Sequence, residues 1–292
     1  MVVVFNFGGQ YAHLITRRVR ELGVKCELVS PDIKIEELKK LSPDAIILSG
    51  SPYSVYEKNA PHPDPKIYGL NIPVLGICYG HQLIAYQLGG KVTPGKTKQF
   101  GKESLQTSDT PLFKGLSKKE IVWFSHGDQI DTLPAGFECI ASTKSAKLAG
   151  FQNLSRKIFG IQFHPEVTHS QKGITVLKNF LFDISKVKKD WDLGQVKDSI
   201  IKEIRQKVSR EKIIMAVSGG VDSLVAATLI KVAAPNNLHL IFIDTGLMRK
   251  NEVREVEKII NTVGFKSFKT IDASKIFLKS LNGIVDPEKK EK

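Results

Sequence analysis

The sequence is poor in cysteine, methionine and tryptophan, and it contains no long uninterrupted hydrophobic run. Its 292 residues include 3 Cys, 3 Met and 2 Trp. Such a sparse, odd set of cysteines excludes a disulfide framework and offers no paired spacing for zinc. No run approaches the roughly 18–20 apolar residues of a membrane span. The first residues, Met1-Val-Val-Val-Phe5, resemble a strand and lack the basic start of a signal peptide. We therefore predict a cytoplasmic protein without membrane association.

Acidic residues are fewer than basic residues in this sequence. The chain has 43 Lys and Arg against 30 Asp and Glu, a formal net charge of +13. The basic residues are spread along the chain, so we predict no specific binding of nucleic acid, whereas nucleotides and phosphate products fit the same charge. The length predicts two domains. We place them at residues 1–188 and 189–292, with a polar linker over 185–192.

Short apolar runs alternate with helical patterns through the first domain. Residues 2–7, 25–29 and 45–48 predict strands, and 11–22 predict an amphipathic helix. Near-continuous apolar strands between helices are typical of a parallel sheet covered on both faces. Shorter strands and turns follow over 91–167, and 173–182 predict a closing helix. The predicted fold class is α/β, with a mostly parallel central sheet flanked by helices.

One cysteine lies in a turn suited to a nucleophile. Cys78 occupies Gly76-Ile-Cys-Tyr-Gly80, directly after an apolar run and before a helical pattern. A glycine-flanked strand-to-helix turn lifts one side chain out of the backbone. The helix N-terminus favours the thiolate form of that side chain. Cys26 and Cys139 have no such turn, so we interpret them as structural.

A base and an orienting group occur in Phe163-His-Pro-Glu-Val167. Pro165 favours an extended backbone at His164. In an extended segment His164 and Glu166 project to the same side, so the carboxylate can hold one ring nitrogen while the other faces Cys78. The alternative interpretation is a structural cysteine and a surface His-Pro turn.

Together these motifs resemble the class I glutamine amidotransferase family. The resemblance implies a catalytic triad of Cys78, His164 and Glu166. The thiol would attack the side-chain amide of glutamine, form a glutamyl thioester and release ammonia, then glutamate.

The resemblance also implies an oxyanion hole and a glutamine pocket. Backbone N–H groups of Tyr79 and Ser51 would stabilise the oxyanion. Ser51 lies in Ser49-Gly-Ser-Pro52, where the family has a second glycine. A positive φ at this position would cost serine of order 1 kcal/mol. The residues that match segments lining the glutamine pocket are Gln82, Ser125 and His126.

A second strand–turn–helix motif begins at residue 212 with Ser218-Gly-Gly-Val-Asp-Ser223. Such a turn presents backbone N–H groups and a helix N-terminus to an anion. The hexapeptide resembles the pyrophosphate loop of the ATP pyrophosphatases, which cleave ATP between the α and β phosphates. The resemblance implies that Mg-ATP is a substrate, that Asp222 helps to hold Mg²⁺, and that no cofactor is tightly bound. The implied ATP-binding residues are Ser218, Gly219, Gly220, Val221, Asp222, Ser223 and Asp244. For Asp244 a simple turn after a strand remains an equal alternative.

The order of the two motifs resembles the GMP synthetase family. Supporting segments are Asn6-Phe-Gly-Gly-Gln-Tyr11, Arg17-Arg-Val-Arg-Glu-Leu-Gly23, residues 163–169, Gly246-Leu-Met-Arg249 and Asp286-Pro-Glu-Lys289. Asn6 stands where that family usually has Asp. The resemblance implies three substrates, glutamine, ATP and XMP. XMP would be adenylated by Mg-ATP and then attacked by ammonia, giving GMP, AMP and pyrophosphate.

Members of that family continue well past the Asp-Pro-Glu segment. We therefore expect an incomplete adenine nucleotide α-hydrolase-like second domain, in a chain that carries the glutaminase half and the ATP loop only. The implied protein partner is either a second copy of the protein, in a homodimer, or a separate synthetase chain that supplies the C-terminal part. Two alternatives stay open: a free-standing glutaminase subunit that supplies ammonia to another chain, and a non-catalytic regulator that binds glutamine and nucleotide.

Overall fold

The computed structural model describes residues 1–208 and 211–285. The segment Asp286-Pro-Glu-Lys289, one of those that support the family resemblance, lies outside them. The chain forms two compact units, Met1–Trp191 and Asp192–Lys292. The confirmed fold class is α/β, since strands and helices alternate in both units.

The first unit extends three residues past the predicted boundary at 188, to Trp191. The backbone N–H of Trp191 donates to Gly23 O at 3.0 Å, and the Arg20 guanidinium lies 4.8 Å from the Trp191 ring centroid. Asp190 accepts a hydrogen bond from the Lys25 N–H at 2.7 Å. These contacts attach a polar segment, which resembles a linker by composition, to the loop before β2.

The strands of the first unit are β1 (Val2–Phe5), β2 (Cys26–Val29), β3 (Ala45–Leu48), β4 (Val74–Ile77), β5 (Lys91–Thr107), β6 (Lys119–Thr132), β7 (Glu138–Ser142), β8 (Gly150–Asn153) and β9 (Ile158–Ile161). Its α-helices are α1 (Ala12–Glu21), α2 (Ile35–Lys40), α3 (Tyr79–Gln87) and α4 (Gly173–Lys178). Short 3₁₀ turns cover Pro65–Gly69 and Pro111–Phe113, and a π-helical segment, Asn179–Ile184, continues α4.

These strands form a nine-stranded sheet in the order β2-β1-β3-β4-β9-β8-β7-β5-β6. The pairs from β2 to β9 are parallel, as predicted for the central strands. The pairs from β9 to β6 are antiparallel. Strands β5 and β6 have 17 and 14 residues, much longer than the short strands predicted over this region, because they pair along most of their length as a twisted hairpin.

Alternation along the central strands explains why both faces of the sheet are covered. In β1, Val2 and Val4 join one buried cluster with Ile15 of α1. Val3 and Phe5 join the other cluster. Successive strand residues point to opposite faces, so a fully apolar strand supplies both cores at once.

The second unit contains α5 (Leu193–Lys207), β10 (Ile213–Ala216), α6 (Val221–Ala233), β11 (Leu238–Asp244), α7 (Glu252–Val263), β12 (Phe268–Asp272) and α8 (Ser274–Leu281). Its three strands form a parallel sheet in the order β10-β11-β12. The buried cluster centres on Leu240 and Phe242 of β11 and Val256 and Ile260 of α7. Within the described parts of both units, no helix is long and apolar enough to cross a membrane.

Candidate active site

The site lies at the carboxyl edge of the parallel strands. Cys78 follows β4, the Ser49-Gly-Ser loop follows β3, and His164 follows β9 after a short turn. Because these strands are parallel neighbours, their carboxyl ends meet at one edge of the sheet. Ligands bind at such edges in α/β folds.

Cys78 occupies a strained turn. Its φ of 56° and ψ of −106° place a non-glycine residue in the left-handed half of backbone space. Such a conformation costs of order 1–3 kcal/mol and persists only when the surroundings impose it. Here the Cys78 N–H donates to Ile161 O of β9 at 2.9 Å. The turn places Cys78 at the N-terminus of α3.

The two glycines that flank the turn permit backbone-to-backbone contact. A β-carbon on Gly76 would lie 2.4 Å from Gly80 O, and one on Gly80 would lie 2.2 Å from Leu48 O. The Gly80 N–H donates to Ser49 O at 3.0 Å. Any side chain at these positions would separate β3, β4 and α3, so the glycines keep the elbow against the sheet.

His164 and Glu166 form a buried hydrogen-bonded pair. Glu166 Oε1 lies 2.7 Å from His164 Nδ1, and the residues are 3% and 1% exposed. The His164 backbone is held on both sides, because its N–H donates to Trp123 O and its C=O accepts from the Ser170 hydroxyl at 2.6 Å. The imidazole therefore has a fixed direction.

Cys78 and His164 converge beside Gly50. A β-carbon on Gly50 would lie 3.5 Å from His164 Cε1 and 3.9 Å from Cys78 Cβ. Burial by itself lowers the pKa of His164, but the Coulombic influence of Glu166 and Cys78 and the hydrogen bond to Glu166 raise that pKa well above 6.5. An imidazole held between a carboxylate and a thiol is the arrangement that activates a thiol nucleophile.

Ser51 does not adopt the positive φ considered from the sequence, so the expected backbone cost of serine does not arise. Its hydroxyl donates to Phe7 O at 2.9 Å. Tyr79 supplies the first backbone N–H of α3, one of the amides that has no partner within a helix. Asn6, in place of the family's Asp, accepts from the Gly8 N–H at 3.0 Å through its side-chain oxygen.

A cavity of about 700 Å³ opens beside Cys78 and His164. It is also lined by the predicted pocket residues Gln82, Ser125 and His126. The Gln82 side-chain N–H groups donate to Asp128 O and Gln162 Oε1, both at 3.0 Å. The side-chain oxygen of Gln82 is thus left to accept a hydrogen bond from a ligand.

His126 has a defined hydrogen-bonding state. Burial lowers its pKa to about 4, against the opposing hydrogen bond to Asp128, so the ring is neutral near pH 7. Its Nδ1 lies 2.7 Å from Asp128 O and must carry the proton, because a carbonyl only accepts. Among the described residues nothing bonds the buried Nε2. This nitrogen is an acceptor for a ligand N–H.

Three further residues at the site were not identified from the sequence. The Tyr11 ring meets the His164 ring edge-on with centroids 4.8 Å apart. Asp128 and Gln162 bridge the pocket side chains. A polar Gln162 directly after the apolar strand β9 was the one available signal, since Tyr11 lies in a turn and Asp128 lies within the long strand β6, and only the fold brings either of them to the site.

The other two cysteines fit structural roles. Burial raises the pKa of Cys26 to about 12, and burial also raises the pKa of Cys139. A thiol that keeps its proton is a weak nucleophile. Neither residue lines the cavity that contains Cys78.

In the second unit, the loop between β10 and α6 forms an exposed turn held by its own serines. The Ser218 and Ser223 hydroxyls lie 3.2 Å apart, and Ser223 also donates to Gly220 O at 3.0 Å. Gly219 has a φ of 79°, and its missing side chain leaves room for Val256, 2.4 Å from where a β-carbon would lie. Gly220 precedes α6 and has no side chain to cap it. The first amides of α6 therefore face an open loop.

Asp244 ends β11, the strand beside β10, so it lies at the same sheet edge as this loop. Its carboxylate accepts from the Gly246 N–H at 2.8 Å, as a turn-forming aspartate does. Asp222 lies in the first turn of α6. The described residues contain no group of three or more His, Cys, Asp or Glu side chains placed to hold a metal ion.

The first unit matches a known family over almost its full length. Residues 3–184 match the family described as glutamine amidotransferase class-I. The chain belongs to this family. The match confirms the predicted family and an enzyme of this type. Residues 193–291 match the family described as NAD synthase.

The chain is also similar to proteins of known sequence and of known structure. The chain is 47% identical to the GMP synthase [glutamine-hydrolyzing] of Caldicellulosiruptor saccharolyticus over 293 residues, covering 100% of this chain and 57% of the relative. It is also 47% identical to the enzyme of that name from Aquifex aeolicus, with the same coverage. The chain thus spans little more than half the length of these relatives. A crystal structure from Thermoplasma acidophilum, described as one subunit of a GMP synthase, is 34% identical, with a TM-score of 0.56, over 63% of this chain and 93% of that chain.

Proposed function

We propose that the first unit hydrolyses glutamine to glutamate and ammonia, with Cys78 as nucleophile, His164 as acid and base, and Glu166 as the group that orients His164. The observation that carries this proposal is the strained Cys78 turn facing a buried His164–Glu166 pair beside a cavity. Membership of the amidotransferase family supports the choice of glutamine.

In the first half-reaction, the Cys78 thiolate attacks the side-chain carbonyl carbon of glutamine. The carbonyl π electrons move to oxygen, and the backbone N–H groups of Ser51 and Tyr79 stabilise that oxyanion. As the oxyanion collapses, the C–N bond breaks and His164 donates a proton to the departing nitrogen. The products are ammonia and a glutamyl thioester on Cys78.

In the second half-reaction, water attacks the thioester while His164 accepts a proton from it. The C–S bond breaks, glutamate leaves, and the thiolate–imidazolium pair is restored. Gln82 Oε1 and His126 Nε2 are hydrogen-bond acceptors in the cavity, so we assign them to the N–H groups of the substrate.

Glutamate and ammonia release from glutamine tests this function. The wild-type chain should release both in equal amounts, and Cys78→Ala should release neither. Cys139→Ala, which removes a thiol outside the cavity, is the matched control and should keep wild-type activity. Glutamate release that survives Cys78→Ala would reject the assignment. A wild-type chain that binds glutamine without releasing glutamate would instead support the non-catalytic regulator.

We further propose that the ammonia serves an ATP-dependent amination of XMP to GMP, with the loop at 218–223 holding the pyrophosphate part of Mg-ATP. The glycine turn, the open N-terminus of α6 and the match to the NAD synthase family support an anion site there. The similarity to relatives named GMP synthase [glutamine-hydrolyzing] supports GMP as the product of this amination.

Nucleotide chemistry is tested with XMP, Mg-ATP and ammonium salt. We expect the chain to bind Mg-ATP through the loop at 218–223, and GMP formation from these substrates would support the proposed amination. Failure to bind Mg-ATP would favour a glutaminase subunit that supplies another chain.

A further inference from the structure

The loop Ser49-Gly-Ser51, beside Cys78, is hydrogen-bonded to Phe7 in the turn that follows β1. The Phe7 N–H donates to the Ser49 hydroxyl at 3.4 Å, and the Phe7 C=O accepts from the Ser51 hydroxyl at 2.9 Å. Both backbone groups of Phe7 are thus bound by serines on either side of Gly50. The second of these bonds exists only because this chain has serine at position 51.

Gly50, between the two serines, is enclosed from opposite directions. One side faces His164 and Cys78, at the distances given above. On the other, a β-carbon on Gly9 would lie 2.3 Å from Gly50 O, so the turn after β1 packs directly on that carbonyl. The Ser49 hydroxyl also donates to Gly50 O at 3.2 Å. These contacts restrict the Gly50–Ser51 peptide, which carries the Ser51 N–H.

Phe7 also contacts the residue that supplies the other proposed oxyanion donor. The rings of Phe7 and Tyr79 have centroids 5.3 Å apart, and Phe7 stacks on Phe5 at 6.1 Å. Phe7 is 2% exposed. One rigid, buried residue thus joins the Ser51 loop through hydrogen bonds and Tyr79 through ring packing.

We propose that the Ser51 hydroxyl is a positioning group that fixes the oxyanion loop on Phe7 and so holds the Ser51 N–H in register with that of Tyr79. This inference rests on the proposed glutaminase function. Preorganised donors are worth most when they need no rearrangement as charge develops. Serine at position 51, where the family has glycine, thus makes the oxyanion loop more rigid in this structure.

Replacing Ser51 with glycine separates two interpretations, because they predict changes in kcat in opposite directions. If serine were a tolerated defect of the oxyanion loop, Ser51→Gly would raise kcat. Our proposal requires that Ser51→Gly and Ser51→Ala both lower kcat for glutamine hydrolysis by roughly threefold to tenfold, the effect of losing one neutral hydrogen bond. KM should stay within about twofold, because the oxyanion forms only after binding.

Alkylation of Cys78 by iodoacetamide separates positioning from a general structural role. This substitution at carbon forms no tetrahedral oxyanion, so its rate should be equal in wild type, Ser51→Ala and Ser51→Gly. Ser30→Ala is the matched control. It removes a serine hydroxyl just after β2 that bonds only the Asp32 N–H, and it should leave kcat unchanged.

The outcomes separate this inference from the function on which it rests. If the wild type hydrolyses glutamine and Ser51→Gly is as fast or faster, the positioning role is wrong and the function stands. If Ser51→Ala slows alkylation and hydrolysis equally, the serine supports the whole site and the specific role is also wrong. If the wild type hydrolyses no glutamine, the proposed function itself fails.

Discussion

The two strand–turn–helix loops of this chain differ in how completely their surroundings define them. The turn at Cys78 is buried: Gly80 contacts the Leu48 backbone, and Cys78 itself is 6% exposed. The turn at 218–223 is open, with Val221 76% exposed and its serines bonded within the loop. The same strand–turn–helix pattern thus gives a strained, enclosed turn at the proposed nucleophile in one unit and an accessible turn at the proposed anion site in the other.

This difference fits the role proposed for each loop. A thiol nucleophile needs a fixed direction relative to its base, and neighbouring backbone can impose a strained φ to achieve it. A phosphate ligand brings its own charge and needs free N–H groups, so an exposed loop is suited to it. The enclosed loop depends on tertiary contacts. The open loop depends mainly on hydrogen bonds among its own residues, with one close tertiary contact from Gly219 to Val256 of α7.

The prediction with the largest expected effect is that the two loops act independently of each other. Cys78→Ala should lower glutamine hydrolysis at least about a thousandfold, because the nucleophile is lost, and should leave the affinity for Mg-ATP unchanged. Ser223→Ala should weaken Mg-ATP binding roughly fivefold, the effect of one hydrogen bond, with unchanged hydrolysis. Glutamate release and titration calorimetry measure the two effects. A shared loss in either variant would show that the loops do not act separately.

Removing the charge behind His164 should also have a large effect. Glu166→Gln should lower kcat roughly a hundredfold, since the imidazole loses its orienting carboxylate. It should also lower the pKa of His164, which Glu166 raises. Imidazolium then persists in the wild type as pH rises past 6.5 but is lost earlier in the variant. Proton NMR of the imidazole measures this. Glu120→Gln, a buried carboxylate bonded to the Ser117 N–H, should leave the titration unchanged.

Glycine substitutions test how strongly the surroundings constrain each of the two turns. Gly80→Ala should destabilise the first unit by about 3 kcal/mol, because the new β-carbon would lie 2.2 Å from Leu48 O. Gly220→Ala in the second unit should change stability by less than about 1 kcal/mol, since its nearest neighbour, Ser218 Oγ, is 3.4 Å away. Urea unfolding followed by circular dichroism compares them. Equal costs would mean that the two turns are similarly constrained.

Acid sensitivity gives the smallest expected effect. Burial lowers the pKa of His81 to about 3, so folded His81 stays neutral while unfolded His81 takes up a proton below about pH 6.5. His81 should thus contribute no loss of stability well above pH 6.5 and a loss that approaches about 1.4 kcal/mol per pH unit towards pH 5. His81→Gln should reduce this slope in urea unfolding at pH 7 and pH 5.5. An unchanged slope would assign acid sensitivity to other groups.

Much of the fold could be predicted because its signals are local. The apolar runs of β1 and β3, the glycine-flanked Cys78 and the two-residue spacing of His164 and Glu166 each fit within a few residues. The class-I family match over 3–184 agrees with that prediction. The length of β5 and β6 could not be predicted, since their pairing joins residues far apart in the chain. The attachment of Trp191 also depends on a distant partner, Gly23.

The sequence by itself determined which residues we propose to carry the chemistry: a cysteine in a glycine turn, a His-Pro-Glu segment and a serine-glycine loop before a helix. Residue type and short spacing define these, because backbone conformation responds to nearest neighbours. Only the tertiary structure decided how they are held: Gly50 between the triad and Gly9, Gln82 on Asp128, and Ser51 on Phe7 rather than at a costly φ. These contacts join different strand ends, and nothing within one strand specifies what its neighbour presents.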